Sequence, residues 1–298
     1  MRATFGSIHR NATAGLETAS NRLLEFQRQI SSGKRIETPS DDPGATLGSI
    51  GEHDETARID QYARAANSIS SRLSVVDTVL SDLITQLQSG LVAATSARGT
   101  TKTVEQREAA ATDLEAIRDT ILSDVTISFN GAYLFSGSAS TVAPFVKPAG
   151  GPVSAYAGST QEMDVDIDRN RSVKVAFDGR ELAQGSDASD IFAAFDALIA
   201  AVRAGDDAGI GQGMDALQRM FDRVSIVQGR VGADLRLLDE QKLRLDVMKR
   251  ASAARLSKLE NANMAEAITS LQQADASYRA ALGAVGAVTR ISLMDYLR

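Results

Sequence analysis

Cysteine and tryptophan are absent from this 298-residue chain, and proline, histidine and the aromatic residues are scarce. Without Cys there is no disulfide framework and no thiolate metal site. Two His leave little for metal ligation or proton shuttling. No apolar run reaches the roughly 18 residues of a membrane-spanning helix, so no membrane insertion is expected. The opening Met1-Arg2-Ala3-Thr4-Phe5-Gly6 leads into mixed polar residues, so a conventional signal peptide is not expected either. The net charge of −6, from 32 basic and 38 acidic residues, argues against nucleic acid as the main partner.

Alanine is what the chain has in quantity, with 46 residues. Removing Ala from the 43% apolar total leaves about 28% large apolar residues, and aromatics are 5%. Large side chains bury most of the area that stabilises a thick core. Ala is instead the best helix former and suits close backbone approach. The composition therefore predicts long, slender helices, with length for roughly two domains.

The five prolines divide the chain: Pro39, Pro43, Pro144, Pro148 and Pro152. Proline breaks helix interiors, so the Pro-free stretches 44–143 and 153–298 can hold long helices. Phe5, Ile8, Ala12, Leu16, Ala19, Leu23, Phe26 and Ile30 recur at steps of three and four, the near-heptad pattern of an amphipathic helix. Gly33 is its natural stop. A second helix over about 45–97 carries Tyr62, Ile69, Leu73, Val76, Leu80, Leu83, Leu87 and Leu91 on one stripe, and spans roughly 75–80 Å. Gly99-Thr100-Thr101 predicts a turn, residues 104–128 a third helix with Leu114, Ile117, Ile121 and Val125, and Asn130-Gly131 another turn.

Residues 132–187 read differently. Met163, Val165 and Ile167 alternate with acidic residues, and Val173, Val175 and Phe177 alternate after a turn at 168–171, which is a hairpin signal. A short helix follows at about 188–204, stopped by Gly205. Helical periodicity resumes from Met214 to Arg290, weakened at Gly229 and Gly232. Leu235, Leu238, Leu245 and Met248 form one stripe. Met264, Ile268, Leu271, Tyr278, Leu282 and Val285 form another, out of phase with the first around 259–263. A short apolar tail, with Leu293 and Leu297, closes the chain. The expected fold is mainly α: a long antiparallel coiled coil or bundle made by both termini, with a small β-rich central insert.

Catalytic constellations are missing. His9 and His53 have no ligand partner at helical spacing. The paired carboxylates of Asp41-Asp42 could do acid–base work, but beside Pro43 they read as caps of the next helix. Gly209-Ile210-Gly211-Gln212-Gly213 lacks nucleotide-fingerprint spacing. Asn11-Ala12-Thr13 is a glycosylation sequon inside a predicted helix. Neither an enzyme nor a cofactor is expected. Pattern alone fits an assembling coiled coil or a cytoplasmic coiled-coil binding module.

Gln29-Ile30-Ser31-Ser32-Gly33-Lys34-Arg35-Ile36, followed by Pro39-Ser40-Asp41-Asp42-Pro43, resembles the N-terminal signature of the flagellin superfamily. The Pro-Ser-Asp-Asp-Pro form is similar to that of the hook–filament junction branch. So is Asn130-Gly131-Ala132-Tyr133-Leu134-Phe135-Ser136-Gly137 with Pro144-Phe145 after it. Leu259–Ile268 and Ser292–Leu297 resemble the C-terminal signature, with Asn263 where Asp is common and Met294 where Leu is common.

The resemblance implies an extracellular axial component of the flagellum, an adaptor between hook and filament, with a filament subunit as the alternative. It implies an inner terminal coiled-coil domain (1–38 with 260–298), a helical rod domain (39–135 with 188–259) and a surface insert (136–187). Assembly contacts would come from Phe5, Ile8, Leu16, Leu23, Phe26, Ile30, Met264, Ile268, Leu271, Tyr278, Leu282, Val285, Leu293 and Leu297. The implied partners are the first hook-associated protein, flagellin, copies of the chain in a ring, and a cytoplasmic export chaperone on the C-terminal helices. Export would run unfolded through the flagellar type III channel, without a cleaved signal peptide.

Overall fold

The computed structural model describes residues 5–296 except 100–101, 149–150, 162 and 169–170; at Phe5, Gly6, Ile8 and residues 288–296 it describes backbone alone. The expected turn residues Thr100, Thr101, Arg169 and Asn170 thus lie outside the described residues, as does Leu297. The chain folds into seven helices and two small antiparallel sheets among the described residues: α1 (Phe5–Ser32), α2 (Pro43–Ala97), α3 (Val104–Val125), β1 (Ser128–Phe129), β2 (Ala132–Tyr133), β3 (Met163–Asp168), β4 (Arg171–Ala176), α4 (Gly179–Ala183), α5 (Ile191–Ala204), α6 (Asp207–Glu260) and α7 (Met264–Tyr296). The mainly helical expectation holds. The helices also end where local chemistry stops them. Gly205 closes α5 at φ 70°, and Thr103 with Gln106 forms a complete capping box on α3. The expected long C-terminal helix is two, α6 and α7, divided at 261–263 where the stripe loses phase. The expected apolar tail is the end of α7.

Two compact units divide the chain, residues 61–246 and residues 1–60 with 247–298. The 61–246 unit has a continuous apolar core. Ile69, Leu73, Val76, Leu80, Leu83 and Leu87 of α2 are buried in one cluster with Leu217, Met220, Val224, Val231 and Leu238 of α6. The α2 stripe is the one the periodicity predicts. From α3, Leu114, Ile121 and Val125 join the cluster, and α5 adds Phe192, Phe195 and Leu198. Gly213 makes the approach of α5 possible, because a Cβ there would lie 2.7 Å from Leu198 Cβ.

The central insert carries the expected hairpin, β3 with β4. Apart from that hairpin and the short α4, the described backbone of the insert is irregular, and aromatic side chains help hold it. Phe145 meets Phe192 edge-on with ring centroids 5.0 Å apart, and Tyr156 lies 5.5 Å from Phe145. Buried Ile167, Val173 and Val175 tie the hairpin to the same core, as a two-stranded ribbon requires.

In the unit formed by 1–60 and 247–298, α1 packs along α7. The buried apolar residues described there are few: Ile36, Ile59, Ala267 and Ala274. On α1, Leu16, Leu23, Phe26 and Ile30 fall on one half-buried face, as the heptads predict.

Candidate assembly surface and its joint

The inward face of α7 differs from the expected stripe. Among its described side chains Ala267 and Ala274 are buried, and Leu271, Tyr278, Ala281 and Val285 are half-buried with them at steps of four and three. Leu271, Tyr278 and Val285 are therefore placed as expected. Met264, Ile268 and Leu282 are not, since they point outward at 42%, 46% and 45% exposure. Met248, expected on the α6 stripe, is likewise exposed, whereas Leu238 and Leu245 are buried. Small Ala side chains fill half of the inward positions, and the large residues beside them face outward. Phe5, Ile8 and Leu293 lie where side chains are not described, so their expected roles have no structural counterpart.

The segment between α1 and α2 forms a joint with the end of α6. Gly33 sits at φ 70°, a left-handed conformation suited to glycine. Its N–H bonds Gln29 O at 2.9 Å, closing α1, and its carbonyl accepts from Ala262 N at 2.9 Å. Arg35 N donates to Glu260 O at 2.6 Å, and its guanidinium reaches Leu259 O and Asp42 Oδ2, each at 3.0 Å. Ile36 is buried beneath this loop.

The two carboxylates divide their work. Asp42 Oδ1 accepts from Ala45 N at 3.0 Å and caps α2 as expected. Asp41 does not cap α2. It turns back to accept from Glu37 N at 3.0 Å and Thr38 N at 2.8 Å, rigidifying the loop that Pro39 and Ser40 occupy. The Thr38 and Glu37 backbone donors hold the Asp41 carboxyl below its ordinary range. The Ala45 N–H, followed by Arg35, does the same for Asp42.

Glu260 is the residue that sequence reasoning missed. Its carboxylate accepts from Ser49 Oγ, from Lys34 Nζ at 3.1 Å and sits 2.8 Å from His53 Nε2. Ser49 first, then His53 and Lys34, hold this carboxyl down to about 2 despite its burial. No local pattern joins residue 260 to residues some 210 positions away, so the sequence carries no signal for it.

The second motif builds a turn and a clamp. Asn130 and Gly131 both take positive φ, 52° and 79°, and the register Phe129↔Ala132 makes them a two-residue hairpin turn. Tyr133 is half-buried, while Leu134 and Phe135 enter the core fully. Gly137 donates its N–H to Phe177 O at 3.0 Å. Tyr156 Oη lies 3.1 Å from Phe135 O and 3.0 Å from Ser159 O. Burial pushes that phenol up to about 12. These are fixtures of packing, and the residues expected as a signature are joint and turn residues.

Residues 7–140 match the family model for the bacterial flagellin N-terminal helical region. Over 216 residues the chain is 27% identical to flagellar hook-associated protein 3 of Salmonella typhimurium, a match covering 68% of this chain and 67% of that one. Over its N-terminal half the chain is similar to the flagellin family. Its fold is similar to two solved structures. Xanthomonas campestris FlgL superposes with a TM-score of 0.62 at 17% identity, covering 69% of this chain and 99% of that one. The flagellar junction protein FlgL from Legionella pneumophila gives 0.59 at 13%, covering 72% and 100%. In this chain both sequence motifs serve backbone geometry: one ties α1 and α2 to the end of α6, the other turns β1 into β2.

Proposed function

We propose that this chain is a non-enzymatic structural protein of the flagellar hook–filament junction. It joins the hook, through the first hook-associated protein, to the flagellin filament, and copies of the chain form a ring. The terminal domain (1–38 with 260–298) lies innermost, the rod (39–135 with 188–259) outside it, and the 136–187 insert faces solvent.

One observation carries the reading beyond the family likeness. Among the described side chains the terminal helices bury few apolar residues yet present Leu24, Met264, Ile268 and Leu282 to solvent. Helices of this length that bury so little within their own chain gain stability when neighbours cover them. The same outward residues of α7 suit an export chaperone that covers them before secretion through the flagellar channel.

Deleting the gene tests the function. Cells lacking it are expected to keep hooks, lose filaments and shed unpolymerised flagellin into the medium. Normal filaments and motility in the deletion strain would contradict the proposal.

A further inference from the structure

The pairing of α2 with α6 changes chemistry along its length. Within 61–246 the seam is mainly apolar, with Lys242 Nζ donating to Ser70 Oγ at 2.8 Å and Gln241 buried near its lower end. Within 43–60 and 247–260 it is polar. Glu52 accepts from Arg255 Nε at 2.6 Å, Arg255 Nη2 at 3.0 Å and Ser252 Oγ at 2.6 Å. Ser252 Oγ meets Thr56 Oγ at 3.1 Å, and Lys249 Nζ meets Asp60 Oδ1 at 2.7 Å. Glu260, with Ser49, His53 and Lys34, closes the series. Ser49 and Ser252 are buried there, Leu256 and Leu259 are half-buried, and Ile59 is the buried large apolar residue described. Apolar residues meanwhile face out, with Leu47 at 74% and Val247 at 65% exposure.

This polarity decides how the stretch responds to its surroundings. The carboxylates of Glu52 and Glu260 are mostly covered, at 19% and 12% exposure, while Arg255, Lys249, His53 and Lys34 are more than half exposed. Salt reaches and screens the Arg255, Lys249 and Lys34 cations, since the Debye length falls from about 10 Å at 0.1 M to about 3 Å at 1 M. Opening returns both partners of each pair to water, so it lacks the apolar penalty that opposes opening elsewhere on the same helices. Stretches with few buried apolar contacts open at the low end of a protein's local stability.

We propose that residues 43–60 and 247–260 form an ionic clasp, a stretch of paired helix that opens on its own, with ionic strength setting its population, while residues 61–246 stay folded. The clasp is a property of the free chain and stands whether or not the junction reading holds.

Hydrogen exchange of the full chain tests it. Raising KCl from about 0.05 M to 1 M is expected to speed amide exchange in 43–60 and 247–260 by about tenfold and leave 61–246 unchanged. Glu52→Gln with Glu260→Gln should produce the same acceleration at low salt. Glu52→Leu with Arg255→Leu makes the central pairing apolar, and should slow exchange there and weaken the salt response. Exchange in the clasp that ignores salt would overturn the proposal. So would acceleration spread equally through 61–246, or a Leu–Leu chain with the wild-type salt response.

Discussion

Leu23→Asp, Phe26→Asp and Leu271→Asp are each expected to abolish incorporation into the flagellum while leaving residues 61–246 folded. All three side chains lie on the half-buried faces of the two packed terminal helices. A carboxylate there loses hydration without gaining a partner, a cost of several kcal/mol. The described residues of that unit bury Ile36, Ile59, Ala267 and Ala274 and little else that is apolar, so no reserve offsets the loss. Leu282→Asp should also block incorporation, but by another route. Leu282 is 45% exposed, so its substitution leaves the α1–α7 pairing intact and acts on a neighbour's contact. Circular dichroism of the purified chains, with motility of a complemented deletion strain, separates the two routes. Retained motility in all four variants would contradict this reading.

Gly137→Ala is expected to destabilise the 61–246 unit by roughly 2–6 kcal/mol, from left-handed backbone strain together with overpacking. Gly137 has φ 57°, and a Cβ there would fall inside the Ser159 carbonyl oxygen and 2.8 Å from Gln161 O. Neither neighbour is the end of a flexible side chain. Ser138 N is bonded to Gln161 O at 2.8 Å, and Ser159 N to Ser136 O at 3.0 Å, so the backbone cannot retreat without breaking the clamp. Gly131→Ala is the control. Its φ is 79°, but a Cβ there meets nothing within 4 Å, so strain alone acts. Urea unfolding of both chains checks the pair, and equal midpoints would contradict the clash.

Much of this was legible in the residues. The α2 stripe from Ile69 to Leu87 is buried as its spacing requires, and Gly33, Asn130-Gly131 and Gly205 end or turn elements through φ values that favour glycine or asparagine. Periodicity failed on α7 because it ranks positions by side-chain size, whereas the inward positions include Ala267, Ala274 and Ala281. The face is rotated accordingly, with Met264, Ile268 and Leu282 outside. Adjacency misled at Asp41, whose carboxylate serves the loop behind it. Contacts made across the whole chain, such as Ser49 with Glu260, leave no local trace.

Labelling an epitope-tagged copy in intact flagella tests the central claim most directly. Tagged at the insert, a motile strain should show one narrow band of label where the hook meets the filament. Label distributed along the filament would contradict the junction role and make the chain a filament subunit.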